Sequence, residues 1–222
     1  MDKTLERKLE KLRRRIRRLD GAIVAFSGGV DSSLLMRVCR EELGEKAVAV
    51  TTVSDNYPET ELSLARRIAK VIGARHIVHE RDEDEDSPYS PLQELAMKMR
   101  IKDILDGSHK DDKEEAGRRF REARRAGVKS PLLESGLSKK EIRELSKELG
   151  LPNWDRPSSG GMRKARSYLE RLGYKKVRLQ RRGKCLLIIS EKAGIMRALK
   201  ELTRIRKRMR ALGFRDVLFQ VA

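Results

Sequence analysis

The residues best suited to chemistry lie in one short segment between positions 27 and 33, which reads Ser-Gly-Gly-Val-Asp-Ser-Ser. Its adjacent glycines let the backbone approach a ligand closely and adopt conformations closed to other residues. The serine hydroxyls can donate hydrogen bonds to phosphate oxygens, whereas the Asp31 carboxylate is unfavourable beside a phosphate unless a Mg²⁺ lies between them. The segment therefore predicts a phosphate site formed by Ser27, Gly28, Gly29, Asp31, Ser32 and Ser33. Asp31 is the candidate metal ligand, and Asp31 and Ser32 are the candidate catalytic residues.

The sequence on either side places this segment between a strand and a helix. Residues 22–26 form a short apolar run, and apolar side chains recur at helical spacing over residues 31–43. A loop in this setting lies at the carboxyl edge of a parallel sheet, where such folds bind ligands. The N-terminus of the helix adds unsatisfied N–H groups and a partial positive charge, and both favour phosphate.

Strands and helices continue to alternate downstream. The pattern predicts strands at 47–53 and 76–79, a short apolar segment at 101–105, and helices at 59–72, 90–99 and 113–126. The acidic run over residues 80–86 is expected to be a solvated loop. Strands that alternate with helices indicate βαβ crossovers, so the predicted fold class is α/β with a parallel sheet.

The two ends of the chain differ from this middle part. Residues 5–19 place one narrow apolar stripe on a cationic helix, which would pack onto the next domain or a partner chain, or present its outer side to nucleic acid. A capping box at Ser138 opens a helix that ends at Gly150. The expected segments are an N-terminal helix at 1–20, an α/β domain that carries the phosphate loop at 21–152 and a small basic α+β domain at 153–222.

Within that last domain the pattern predicts a loop followed by two helices and three strands. The loop is expected at 153–161, the helices at 163–172 and 191–212, and the strands at 175–180, 185–189 and 216–221.

The net charge of +18 is distributed unevenly. Residues 1–20 carry +5, residues 21–150 carry −2 and residues 151–222 carry +15. Basic ends of this kind attract phosphate polymers or anionic small molecules, and a solvated, charge-rich surface is the alternative interpretation. The charged N-terminus lacks an apolar signal region, no stretch is long enough for a membrane span, and the two cysteines form no disulfide framework. A cytoplasmic protein is therefore expected.

The loop and its setting resemble the PP-loop of the ATP-pyrophosphatase superfamily, and the loop lysine of kinases and GTPases is absent. In that superfamily the loop holds the departing pyrophosphate while AMP is transferred to an acceptor. The resemblance implies ATP and Mg²⁺ as cofactors and a Rossmann-like parallel sheet of the adenine nucleotide alpha hydrolase type. It also implies that residues 51–54 frame the adenine, with Thr52 as the candidate contact.

Further motifs resemble the LarE family of ATP-dependent sulfur transferases, which act on a pyridinium dicarboxylate mononucleotide. Residues 106–112, Asp-Gly-Ser-His-Lys-Asp-Asp, are similar to the family motif D-G-T-N-x-D-D, and residues 154–157, Trp-Asp-Arg-Pro, are similar to W-D-K-P. Three more segments are close to the family pattern, at 127–133, 137–143 and 149–152. The resemblance implies an anionic, nucleotide-like substrate bound by Trp154, Arg156 and Arg178, and assembly as a homo-oligomer.

Departures from the family pattern leave the later chemistry open. Gly161 stands where one group of the family has a cysteine that gives up its sulfur, Gln180 replaces a second arginine, and His109 replaces an asparagine. An external sulfur donor or an amidating step would then follow adenylation. The alternatives are a tRNA-modifying thiolation enzyme, which the basic C-terminal part favours, and a non-catalytic ATP-binding subunit.

Overall fold

The chain forms two compact units, residues 1–155 and residues 156–222, referred to below as the N-terminal and C-terminal units. They are seen in a computed structural model, which describes residues 2–54, 57–81, 87, 89–112, 117–156, 159–174, 177–183 and 185–221. Each unit has a hydrophobic core of its own. In the described part of the chain, no helix has the length and apolar character needed to cross a membrane.

A sheet of four parallel strands forms the centre of the N-terminal unit, in the order β3-β2-β1-β4. The strands are β1 (Ala22–Ala25), β2 (Ala47–Val53), β3 (Arg75–Glu80) and β4 (Asp103–Leu105). Ala22 of β1 pairs with Ala47 on one side and with Asp103 on the other. The carboxyl ends of β1 and β4 therefore border the point where the strand order reverses, which is where open α/β sheets bind ligands. The predicted parallel α/β fold is confirmed.

Helices cover both faces of the sheet because its central strands, β1 and β2, are apolar on both faces. Val24 and Ala49 belong to one core cluster, and Ile23 and Val48 belong to another. The helices of this unit are α1 (Lys3–Arg17), α2 (Val30–Leu43), α3 (Glu59–Ile72), α4 (Ser90–Met99), α5 (Gly117–Arg125), α6 (Pro131–Glu134) and α7 (Lys139–Glu148). The first core joins the sheet to α1, α2, α3 and α7, and the second joins it to α4 and α5.

The cationic helix α1 is part of the N-terminal unit. Its apolar stripe is buried in the first core and consists of Leu5, Leu9, Leu12 and Ile16. Arg13 forms ion pairs with Glu41 and Glu42 near the end of α2, at 2.6 and 3.0 Å. Lys8 reaches Glu141 of α7 at 2.7 Å. The packing interpretation of the stripe is confirmed, and part of the positive charge of α1 is neutralised within its own unit.

The C-terminal unit packs three helices against a three-stranded sheet. Its elements are α8 (Ser159–Arg171), β5 (Arg178–Arg182), β6 (Cys185–Ser190), α9 (Lys192–Lys200), α10 (Leu202–Ala211) and β7 (Asp216–Val221). β6 is central and pairs with β5 antiparallel and with β7 parallel. Leu169, Leu186 and Phe214 are among the buried residues of its core.

The structure corrects several predicted boundaries. The expected loop at 153–161 is shorter than predicted, because α8 already begins at Ser159. A glycine in a helix costs only about 1 kcal/mol, and the burial of Ala165 and Leu169 on one face of α8 stabilises the helix against this cost. The single helix expected at 191–212 is two helices that meet at Glu201. β5 begins at Arg178, and residues 175 and 176 of the predicted strand lie outside the described residues. Residues 82–86 of the acidic run and 113–116 of the predicted basic helix lie outside the described residues.

Candidate functional site

The phosphate loop is a tight turn between β1 and α2 that is built around Gly28. Gly28 has a φ of +65°, which L side chains rarely adopt. A Cβ at this position would lie 2.7 Å from the Cα atom of Ala65 on α3. Gly29 follows in an extended conformation as the N-cap residue of α2. The turn therefore requires a glycine for both conformation and space, and it places the start of α2 at the carboxyl edge of the sheet.

The serine hydroxyls of the loop largely maintain its own shape. The Oγ atoms of Ser27 and Ser32 are 3.3 Å apart, and Ser32 Oγ also donates to the Gly29 carbonyl at 3.3 Å. Ser33 is fully buried, and its hydroxyl accepts a hydrogen bond from Asn153 at 2.9 Å. In this conformation the Ser33 hydroxyl contacts Asn153, and its contact with phosphate stays a prediction. The first-turn amides of α2 have no partner within the helix and are the donors that a phosphate would meet.

The side chain of Asn153 holds the phosphate loop through hydrogen bonds. Its Nδ2 atom donates to the carbonyl oxygen of Gly28 at 2.8 Å as well as to Ser33. The side chain is 4% exposed, so these bonds are protected from water. Asn153 follows α7 in the sequence, and its neighbour Leu151 is anchored in the first core. The phosphate loop therefore owes part of its shape to a residue at the far end of the same unit.

The carboxylate of Asp31 faces Lys139, the first residue of α7. Both carboxylate oxygens accept hydrogen bonds from Lys139 Nζ at 2.5 Å. The two side chains are only 19% and 20% exposed. The start of α7 is fixed by a capping box in which Ser138 and Glu141 each bind the backbone of the other. Two helix N-termini, a lysine and one carboxylate therefore meet beside the phosphate loop.

The motif at residues 106–112 links β4 to both of these helix starts. Gly107 packs against the loop so closely that a Cβ there would lie 3.0 Å from Ser32 N. Asp106 is buried and accepts hydrogen bonds from the hydroxyls of Ser108 and Ser130, both at 2.7 Å. Asp111 accepts a hydrogen bond from the backbone N–H of Lys139 at 2.7 Å. The motif thus positions Lys139 against Asp31.

His109 lies at the same carboxylate. Its Nε2 atom is 3.8 Å from Asp31 Oδ1 and 3.4 Å from Asp112 Oδ2. The residue is 7% exposed, and its buried Nδ1 atom has no hydrogen-bond partner among the described residues. His109 therefore belongs to the surroundings of Asp31.

The remaining predicted site residues are divided between the two units. Thr52 is half-buried on β2, opposite His79 of β3. Trp154 is 36% exposed in the N-terminal unit, with Lys147 Nζ 5.2 Å from its ring centroid. Arg156 is half-buried at the start of the C-terminal unit, and Arg178 is exposed as the first residue of β5. The structure does not bring these residues together within one unit.

Two residues of the site were not among the sequence candidates. Lys139 directly follows the N-cap residue of a capped helix, and a basic residue at such a helix start is a signal that could have identified it. Asn153 carries no comparable signal, because its partners Gly28 and Ser33 are 125 and 120 residues away in sequence.

Several known proteins are similar to this chain in sequence or in fold. The asparagine synthase family model matches residues 9–99. The chain is 34% identical over 210 residues to the uncharacterized protein slr1717 of Synechocystis, which covers 79% of this chain and 78% of that protein. It is 27% identical over 249 residues to the pyridinium-3,5-bisthiocarboxylic acid mononucleotide synthase of Lactiplantibacillus plantarum, with 96% and 90% covered. Among solved structures, NMN synthetase from Francisella tularensis superimposes with a TM-score of 0.52 at 15% identity, over 94% of this chain and 97% of that chain.

The sequence match and the fold identify a PP-loop protein of the α/β class. The chain belongs to the same family as the Synechocystis protein slr1717, and it is similar to the pyridinium-3,5-bisthiocarboxylic acid mononucleotide synthase of Lactiplantibacillus plantarum.

Proposed function

We propose that the protein binds ATP at the phosphate loop, cleaves the α–β phosphate bond and adenylates an acceptor with release of pyrophosphate. The observation that carries this proposal is the ion pair of Asp31 and Lys139, at 2.5 Å, beside the glycine turn and the N-terminus of α2. This arrangement supplies donors for phosphate oxygens at the strand-order reversal of the sheet. Membership in an ATP-utilising family supports the same reaction class.

The chain's own residues would act by positioning and charge stabilisation. Phosphoryl transfer needs few covalent steps by protein side chains. It depends on hydrogen-bond donors that point at the negative charge developing on the phosphate oxygens in the transition state. The amides at the start of α2 and the ammonium group of Lys139 are such donors. Ser27 and Ser32 maintain the turn that presents them, and Gly28 and Gly29 let the backbone reach the pyrophosphate.

The donor set fits a Mg²⁺ that arrives with the nucleotide. Mg²⁺ is commonly held by one or two carboxylates together with substrate phosphates and water. Asp31 provides one carboxylate, and within the described ranges no group of three or more acidic, His or Cys side chains forms a metal site independent of a ligand. When bound, the ion would neutralise negative charge on the phosphates.

The acceptor we propose is a pyridinium mononucleotide, with sulfur delivered by an external donor. Gly161 stands where one group of the LarE family has the cysteine that gives up its sulfur. It is buried in the first turn of α8 and has no sulfur atom to donate. Cys39 is fully buried in the first core, and burial raises the pKa of its thiol, which makes it unreactive. An amidating step on the same adenylate is the alternative outcome of this chemistry.

Pyrophosphate release is the direct test. The assay contains MgATP and the pyridinium mononucleotide, with and without a sulfide donor, and compares Asp31→Asn with Asp20→Asn. Asp20 is exposed and lies outside the site, so Asp20→Asn makes the same change of charge as Asp31→Asn and serves as the control. We expect Asp31→Asn to lower pyrophosphate release by about 100-fold or more and Asp20→Asn to leave it unchanged. ATP binding without Asp31-dependent release for any acceptor, tRNA included, would contradict the proposal and favour a non-catalytic subunit.

A second candidate keeps the ATP site and makes tRNA the acceptor. Its support is the C-terminal unit, which has 20 Lys and Arg residues against four Asp and Glu residues. If an RNA contacts this unit through its phosphates, its binding affinity should fall steeply as the salt concentration rises from about 50 to 200 mM. Filter binding of bulk tRNA measures this dependence, and the absence of binding at low salt would remove the candidate.

A further inference from the structure

A hydrogen-bonded relay of three residues lies directly before the phosphate loop. Its centre is Thr51 of β2, which is 2% exposed. Thr51 Oγ1 lies 2.6 Å from the carbonyl oxygen of Phe26 and 2.8 Å from Nε2 of His76 on β3. Phe26 is the residue between β1 and Ser27, so the relay, which consists of Phe26, Thr51 and His76, reaches the point where the chain leaves the sheet.

The direction of the two hydrogen bonds follows from the protons that are available. A carbonyl oxygen only accepts, so the single hydroxyl proton of Thr51 lies on the bond to Phe26. The hydroxyl must therefore accept from His76, which places a proton on Nε2 of that ring. Burial lowers the pKa of His76, and the charge of Arg66 adds to this effect. The ring is therefore neutral at pH 7, and Nε2 carries its one proton.

The relay acts on the peptide unit from which the loop begins. Phe26 N donates to the Val50 carbonyl at 2.8 Å, which continues the pairing of β1 with β2. The carbonyl of Phe26 accepts from the Thr51 side chain instead. This carbonyl and the N–H of Ser27 belong to one planar peptide unit, and the N–H donates to Ser32 Oγ at 3.3 Å. Thr51 therefore holds the oxygen of this unit, while the first turn of α2 holds its nitrogen.

Burial makes the relay sensitive to the loss of either partner. Phe26 is 3% exposed, and its ring meets the His76 ring edge to face, with 5.6 Å between the centroids. A buried carbonyl that loses its donor keeps the cost of desolvation without the hydrogen bond that offsets it. Removal of the Thr51 hydroxyl therefore favours rotation of the peptide unit between Phe26 and Ser27 toward other donors.

We propose that Thr51 and His76 are positioning residues for the phosphate loop: His76 orients the Thr51 hydroxyl, and the hydroxyl fixes the peptide unit at the start of the loop. This role rests on the proposed binding of ATP at the loop, and neither residue needs to contact the nucleotide. Rotation of the peptide unit would move the Ser27 N–H away from Ser32 and alter the turn that presents the α2 amides. The fraction of molecules with a binding-competent loop would then fall, and the apparent affinity for ATP would fall with it.

Two pairs of variants separate the hydrogen bonds from the shape of the side chains. Thr51→Val keeps the size of the side chain and removes the hydroxyl, whereas Thr51→Ser keeps the hydroxyl. His76→Phe keeps a ring against Phe26 and removes Nε2, whereas the side-chain amide in His76→Gln supplies an N–H donor in its place. Val48→Ala is the control for a general loss of stability, because Val48 lies on β2 but belongs to the second core.

The test measures amide hydrogen exchange without nucleotide and ATP binding by calorimetry with Mg²⁺, both on the full chain. The amides of Phe26 and Gly29 report on the loop, because both are hydrogen-bonded in the wild type. We expect Thr51→Val to accelerate their exchange about tenfold and His76→Phe about threefold, with ATP binding weakened about two- to fivefold by each. Thr51→Ser and His76→Gln should stay within about twofold of the wild type in both measurements.

Nitrogen NMR of the His76 ring gives a further readout that a purely packing role would not require. At pH 7 the ring should be protonated at Nε2 and unprotonated at Nδ1. The opposite tautomer, effects no larger than those of Val48→Ala, or a failure of Thr51→Ser to restore ATP binding would overturn the proposal. If the wild type itself binds no ATP, the proposed function fails, and the exchange at Phe26 and Gly29 alone decides whether the relay holds the loop.

Discussion

Lys139 and Asp31 form the interaction on which the proposed chemistry of single residues depends. The lysine is the first residue of α7, and both Asp31 oxygens lie 2.5 Å from its Nζ atom. A lysine is a compact charge on a flexible stem, so it can exchange a carboxylate for a phosphate oxygen without movement of the helix. Without a nucleotide, the charges of Lys139 and Asp31 therefore neutralise each other. When a nucleotide binds, the Lys139 ammonium group would be available to its phosphates.

Replacement of Lys139 by methionine should reduce pyrophosphate release by about 100-fold, because it removes a positioned donor from the leaving group. The neighbouring Lys140 is exposed and provides a matched control. Single-turnover assays of Lys139→Met and Lys140→Met, with ATP binding measured in parallel, would check this. Equal rates for the two variants would show that Lys139 has no part in the reaction.

Gly28 and Gly73 both have positive φ, but only Gly28 is confined by its neighbours. At Gly73 no atom of the described residues lies within 4 Å of an added Cβ, whereas at Gly28 the Cα atom of Ala65 lies 2.7 Å away. We expect Gly73→Ala to cost about 1 kcal/mol through its left-handed backbone. Gly28→Ala should cost about 3 kcal/mol and also lose ATP binding, because it adds overpacking to the same strain. Chemical denaturation with ATP titration measures both, and equal costs would mean that the loop adjusts to the methyl group.

At the scale of elements, α1 and α7 are joined at the capping box that presents Lys139. Glu141 accepts hydrogen bonds from Ser138 and from Lys8 of α1. Burial alone would raise the pKa of Glu141, but the hydrogen bonds from Lys8 and Ser138 outweigh it and lower the pKa to about 2. The N-terminal helix is thus connected to the capping box at the start of α7, next to Lys139.

A dependence of stability on acid follows from this lowered pKa. The carboxylate contributes its full stabilisation above pH 4.5, the ordinary value for glutamate, and loses it as the pH falls toward 2. Glu141→Gln should therefore be less stable than the wild type by roughly 1 to 3 kcal/mol at neutral pH, and the difference should vanish near pH 2. Glu144→Gln alters an exposed glutamate on the same helix and should show no such trend. Urea denaturation across this pH range is the measurement, and a difference that is constant with pH would contradict the assignment.

Elements with strong periodicity or a clear boundary were predictable from the sequence. β2 and α3 were predicted residue for residue, since both have a regular apolar pattern. The break between α9 and α10 was not predictable, because neither glycine nor proline stands at residue 201 and the buried spacing of Ile195, Ala198, Ile205 and Met209 continues across it. The loop glycines could likewise be identified from local sequence, whereas Asn153 depends on contacts that only the folded chain creates.

For the whole molecule, the two units have separate cores, so unfolding need not be a single transition. Leu132 is buried in the N-terminal unit and Phe214 in the C-terminal unit. Each large-to-small change should cost about 2 to 5 kcal/mol in its own unit. Phe214→Ala should accelerate amide hydrogen exchange over residues 156–222 and leave the sheet strands of residues 22–105 protected, and Leu132→Ala should do the reverse. Acceleration in both units by either variant would show one cooperative structure.

Asn153 also bears on the order in which the protein becomes functional during synthesis. The chain emerges from its amino end, so Gly28 is made 125 residues before the amide that holds its carbonyl. Contacts between distant positions form late, because the intervening chain must be ordered first. The strand, turn and helix around the loop can arise early, but their final shape waits for the last residues of the unit. A nascent chain that stops before Asn153 would contain the complete loop motif but not the side chain that hydrogen-bonds to it. We therefore expect nucleotide binding to begin only after Asn153 has left the ribosome.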